Sequence, residues 1–65
     1  MNFMKITLIV NALVPNSSVG RVVINIAEQF KKQNHNIQII TSEYDEEFIK
    51  RYDIDKSEIT EDVEE

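Results

Sequence analysis

Apolar positions in this chain change their spacing along its length, and each change marks an element. Residues 4–10 form a short, nearly continuous apolar run containing Ile6, Leu8, Ile9 and Val10. A run that is β-branched and too short for a buried helix predicts a strand covered on both faces, as in a parallel sheet. The spacing then becomes helical. Val19, Val22, Val23, Ile26, Ala27 and Phe30 fall on one i, i+3, i+4, i+7 stripe, with Arg21, Asn25, Glu28 and Gln29 opposite and Ile24 off the main stripe. This predicts a helix over about residues 18–33, with Val23 and Ile26 central to the core. Residues 37–41, Ile-Gln-Ile-Ile-Thr, return to strand spacing. Two short strands separated by such a helix imply a right-handed parallel crossover.

The polar residues punctuate these elements. Pro15 fixes φ and disfavours helix at Val14, so residues 11–18 read as a loop with turn chemistry at Pro15-Asn16-Ser17-Ser18. Ser17 or Ser18 supplies the N-cap, and Lys31 and Lys32 suit the negative end of the helix dipole. Asn34-His35-Asn36 ends the helix, because Asn tolerates the left-handed conformation of a C-cap. Ser42 reads as the cap of a second helix over about 43–53, with Glu43, Asp45 and Glu46 in its first turn and Tyr44, Phe48 and Tyr52 four residues apart. Ile54, Ile59 and Val63 stand isolated among acids, which predicts a frayed end. The expected class is therefore α/β: a β-α-β unit over residues 1–42, followed by an acidic, partly helical tail over 43–65.

Charge sharpens that division. Residues 1–42 carry Lys5, Arg21, Lys31 and Lys32 against Glu28, a balance of +3. Residues 43–65 carry eleven acids against Lys50, Arg51 and Lys56, a balance of −8, which gives −5 for the chain. The acidic half argues against a nucleic-acid partner, while the first half suits an anionic ligand. Sixty-five residues allow one domain, and a chain of this size buries only about 60% of its unfolded surface. There is no cysteine, hence no disulfide or thiolate zinc site, which fits a cytoplasmic, reducing setting. No apolar run approaches the ~20 residues of a membrane span, and residues 1–10 lack the charged start and cleavage site of a signal peptide.

One place carries chemical potential. The amino end of the first helix follows the first strand, where free N–H groups and the helix dipole attract anions. Asn11, Ser17, Ser18, Gly20 and Arg21 are the residues placed there to touch a phosphate or sugar. The dinucleotide fingerprint needs three spaced glycines and this chain has one, so that reading fails, as does the P-loop. His35, the only histidine, sits at the opposite edge and reads as a structural turn residue. No converging metal ligands are evident, and no catalytic residue or cofactor is assigned. Asp45, Glu46 and Glu47 read as a solvated helix face.

Met4-Lys5-Ile6, an apolar strand, a loop with Pro15, and then Ser17-Ser18-Val19-Gly20-Arg21-Val22-Val23 resemble the opening of family 4 GT-B glycosyltransferases. In that family M-K-I and a strand lead to G-G-x-G-R or G-G-x-E-R and a helix ending L-A-x-x-L, to which Ile26-Ala27-Glu28-Gln29-Phe30 is similar. Asn34-His35-Asn36-Ile37 and Ile40-Thr41 look like its G-H-x-V turn and Thr-ended strand. The resemblance covers residues 4–42. Ser17 and Ser18 replace its paired glycines, and Asn34 replaces the turn glycine. It implies a Rossmann-like unit from the N-terminal, acceptor-binding domain of a two-domain enzyme. The resemblance further implies that a C-terminal domain, which would bind most of a nucleotide sugar, is missing. On this reading the chain is a fragment that is inactive alone and open to self-association. The contrasting expectation is a small acidic interaction protein, without catalysis, docking through Tyr44, Phe48 and Tyr52.

Overall fold

A computed structural model describes residues 4–62. Strand β1 is Lys5–Leu13, helix α1 is Ser18–Lys32, strand β2 is Asn36–Tyr44, and a short helix α2 is Glu46–Lys50. A 3₁₀ turn, Lys56–Glu58, then leads into a third strand, β3, Ile59–Glu61. The sheet runs in the order β1-β2-β3 and both pairings are parallel, so each link between strands is a crossover. β1 and β2 are in register from Lys5 opposite Asn36 to Leu13 opposite Tyr44. The expected strand–helix–strand order and parallel pairing are both present.

Both long strands outrun their predicted ends. Residues 11–13 are strand rather than loop, because the ladder to β2 continues beside them and Leu13 is wholly buried. β1 is also not covered on both faces. Ile6, Leu8 and Val10 face α1 beside Ile37, Ile39 and Thr41. The alternate positions Lys5, Thr7 and Ile9 are exposed, Ile9 to 78%. Both α1 and α2 contribute to one core cluster, so among the described residues no helix covers the other sheet face. A continuous apolar run therefore here belongs to a half-covered strand.

Helix α1 has the predicted span but presents a different face. Gly20, Ile24 and Ala27 are its buried residues. Ile24, read as off the stripe, is at its centre. Val19, Val22 and Ile26 are 64%, 58% and 41% exposed. The apolar arc of α1 is wider than the sheet can cover, so periodicity alone does not fix which part turns inward. Small residues decide it. Gly20 lies so close to β1 that an added Cβ would collide with the carbonyl oxygen of Ala12. The helix comes this near only with Gly20 and Ala27 beneath it, and that rotation carries Ile26 outward. Val23 remains half-buried against the core.

Both helices end in the same way. The His35 N–H donates to the Phe30 carbonyl and the Asn34 N–H to that of Lys31 (3.1 and 2.9 Å), with Asn34 at φ 68°. The Ile54 N–H donates to Ile49 and the Asp53 N–H to Lys50 (both 3.1 Å), with Asp53 at φ 62°. This paired pattern is the Schellman motif, and Asn and Asp are among the few non-glycine residues that accept its left-handed position.

Residues 43–62 differ most from expectation. Ser42 is not a cap and Tyr44 is not helical, since both belong to β2. Asp45 caps α2 instead, its carboxylate accepting from the Phe48 N–H at 3.0 Å. Ile54 is buried and Ile59 pairs with Ile39, so the stretch expected to fray forms an ordered edge through residue 62. The anticipated break at residue 42 is bridged by one core, which Phe48, Ile49 and Ile54 share with Ile24 and Ile39. Val63 lies outside the described residues. Isolated apolar residues carried no local period, and only the crossover to β3 collects them.

A capping box starts the 3₁₀ turn. The Asp55 carboxylate accepts from the Ser57 N–H (3.0 Å) and the Glu58 carboxylate accepts from the Asp55 N–H (2.9 Å). Hydrogen bonding from Ser57, its side chain first and then its backbone, holds the Asp55 carboxyl below the usual aspartate value, and the positive charges of Lys31 and Lys56 act in the same direction. A lowered folded-state pKa gives stability that is complete above the unfolded value and is lost as pH falls through the folded one. Thermal melts of the wild type and Asp55→Asn are therefore expected to differ at neutral pH. They should converge only as acid passes below the ordinary aspartate range. Equal melting temperatures at neutral pH would show that the cap does not contribute.

Candidate functional site at the carboxyl ends of the strands

Pro15 and Asn16 form the tip of a turn closed by the Ser17 N–H donating to the Val14 carbonyl at 3.0 Å. This turn delivers the chain from β1 into α1. Ser17 is the N-cap: its Oγ accepts from the Gly20 N–H at 2.9 Å and its carbonyl from the Arg21 N–H at 3.0 Å. A capping hydroxyl contributes about 1 kcal/mol. No acid occupies the first turn of α1, so the positive end of the dipole is not neutralised from within the helix. Ser18 and Arg21 are exposed beside it.

The five residues expected here have four different fates. Ser18 and Arg21 are free to meet a ligand. Ser17 is half-buried, with its hydroxyl committed to the cap. Gly20 is buried against β1 and is not ligand-facing; its lack of a side chain serves helix–strand contact. Asn11 is exposed in β1, and its carbonyl accepts from the Thr41 hydroxyl at 3.1 Å. Thr41 is the buried polar residue of the core, and its hydroxyl also reaches the Glu43 carbonyl at 3.0 Å.

Asn11 belongs to a cavity that the helix end does not reach. A shallow groove of about 430 Å³ crosses the carboxyl half of the sheet, lined by Ile9, Val10, Asn11, Ile40, Thr41, Ser42 and Asp62. Ser17, Ser18, Gly20 and Arg21 do not line it. The structure thus divides the predicted site between the amino end of α1 and a groove on the sheet. Ser42 and Asp62 were not legible as groove residues. Asp62 is brought there by its N–H donating to the Thr41 carbonyl at 2.8 Å, a contact that depends on β3.

The remaining candidates are structural. Nδ1 of His35 accepts from the Met4 N–H at 3.0 Å, and its ring meets Phe30 edge-on with centroids 6.0 Å apart. It ties the start of β1 to the turn after α1. Phe48 is buried and stacks edge-on against Tyr52 at 5.4 Å, while Tyr44 and Tyr52 are half-buried against the core. Among the described residues no three His, Cys, Asp or Glu side chains gather as a metal site, and no helix is long and apolar enough to cross a membrane. The fold and site define a small α/β unit with a parallel three-stranded sheet. No protein-family model, curated protein or solved structure matches the chain.

Proposed function

We propose that this chain forms one wall of a glycosyltransferase-type cleft, as a Rossmann-like unit of GT-B kind that meets a phosphate or sugar at the carboxyl edge of its sheet. One observation carries the reading. The amino end of α1, capped by Ser17, free of acids in its first turn and flanked by Arg21, lies where β1 ends. In open α/β sheets that edge is where ligands sit. Ser18 and Arg21 are the contacts at the helix end, with Asn11 on the neighbouring groove. The retained glycine of the G-G-x-G-R pattern, Gly20, supports the reading through packing rather than contact, because it sets the helix against the strand.

The chain has no turnover of its own on this reading. Glycosyl transfer needs donor and acceptor held together, with groups aimed at charge developing on the leaving diphosphate. One helix end and an open groove supply a single wall, and a second domain must supply the other. Pyrophosphate and nucleoside diphosphate sugars titrated into ¹⁵N-labelled chain should shift the amides of residues 18–21, weakly and saturably, without product formation. The shifts should shrink in Arg21→Ala. Shifts confined to other residues, or none at these amides, would remove the reading.

A further inference from the structure

We infer that residues 55–62 form a strap that docks on β2 and lifts from it while β1, α1, β2 and α2 stay folded, carrying Asp62 into and out of the groove. The strap begins where the buried core ends. Ile54 is buried and its N–H donates to the Ile49 carbonyl at 3.1 Å, so it fixes the near end of the strap. Beyond it, among the described residues, Ile59 alone packs against the core, and it is half-buried. Thr60, Glu61 and Asp62 are exposed. Segments that bury little apolar surface open locally, at a free energy below that of global unfolding.

The polar attachments divide in the same place. The capping box joins Asp55, Ser57 and Glu58 within the strap, so the 3₁₀ turn travels as a unit. On the sheet side, three residues of β3 pair with β2. The Asp62 N–H donates to the Thr41 carbonyl at 2.8 Å, and Gln38 Nε2 donates to the Thr60 hydroxyl. On the helix side, Lys56 and Glu46 lie 3.8 Å apart with both side chains largely in water, an ion pair of little worth. Lys31, in the last turn of α1, is the latch. Its ammonium reaches the Glu58 carboxylate at 2.9 Å and the Asp53 carbonyl, and both members of the ion pair are mostly out of water. The same Glu58 oxygen accepts from the Asp55 N–H at 2.9 Å. One atom therefore closes the turn and holds it to α1.

Release changes the groove more than the core. Asp62 is the one charged residue of the groove lining. The Thr41 carbonyl that it is joined to belongs to the residue whose hydroxyl donates to the Asn11 carbonyl, so the strap sits on the residue that ties the two sides of the groove together. Docked, the strap supplies one wall and a carboxylate. Lifted, it leaves a neutral, wider groove and frees the outer edge of β2, which β3 otherwise covers. A ligand that touches Asp62 favours the docked state by its differential affinity for the two forms. The device is independent of what else the groove recognises.

Native-state hydrogen exchange of the full chain, followed by NMR in urea below the unfolding midpoint, tests this. The Asp62 amide should exchange through an opening that depends little on urea, because lifting the strap exposes little surface. The amides of the β1–β2 ladder should exchange through global unfolding, with the full urea dependence. Ile24→Val, a small truncation in the core, should speed the ladder amides several-fold and leave the Asp62 amide unchanged. Glu58→Ala, which removes the latch, should speed the Asp62 amide about tenfold while the β1–β2 pairing is kept. One urea dependence shared by Asp62 and the ladder, or an equal response of both to Ile24→Val, would overturn the inference. So would an Asp62 amide that Glu58→Ala leaves unchanged, or loss of the β1–β2 pairing in that variant.

Discussion

Replacing Ile24 by alanine should cost about 2–5 kcal/mol, while the same change at Ile26, two residues on, should cost within about 0.5 kcal/mol in dilute solution. Both isoleucines sit on one helix and have the same volume. Ile24 is wholly buried between Ala27, β1 and the core residues of β2, and its truncation leaves a cavity. Ile26 is partly in water, and its truncation removes side-chain surface without opening the core. A domain of this length is stable by about 3–10 kcal/mol in all. Ile24→Ala is therefore expected to bring the chain near its folding threshold. Urea unfolding followed by circular dichroism reads both changes. If Ile26→Ala proved the costlier, α1 would be turned the other way on the sheet.

The second large effect is at Gly20. In an exposed helix, Gly→Ala gains about 1 kcal/mol of propensity. Gly20 has no positive φ, so nothing in the backbone requires glycine there. The neighbour does. A Cβ at this position meets the Ala12 carbonyl oxygen and crowds the Ser17 side chain, and the carbonyl belongs to a strand held in the ladder. Relief needs α1 to lift from β1, which uncovers Ile24 and Ala27 together. The expected result for Gly20→Ala is a net loss of about 1–3 kcal/mol despite the better helix former, and for Gly20→Val loss of the folded state. Cooperative unfolding in urea at a lower midpoint is the expected reading for Gly20→Ala. A higher midpoint would mean that helix and strand do not approach this closely.

These two positions mark where local reading stops. The interior of a helix is legible when its apolar arc is narrow. Here the arc runs from Val22 through Val19 and Phe30 to Ile24, wider than one sheet contact, and a pattern of apolarity does not rank its members. Size ranks them. Gly20 and Ala27 permit closest approach, and that fact exists only when β1 is beside the helix. The candidate site divides in the same way. A serine cap ahead of α1 and the exposed Arg21 follow from local chemistry, whereas the groove containing Asn11, Ser42 and Asp62 requires three strands from distant parts of the chain.

By itself the sequence determined the order strand, helix, strand, the start of α1 at a serine cap, Ser17 or Ser18, its end at Asn34-His35-Asn36, and the parallel pairing that a helical crossover requires. Each rests on interactions within a few residues or on the geometry of a single link. The tertiary structure alone decided the face of α1, the three added residues of β1, the Asp45 cap in place of Ser42, and the strand at Ile59–Glu61. Those outcomes depend on partners far along the chain. Ile59 has no apolar neighbour in sequence, and it becomes part of a sheet because Ile39 lies opposite it.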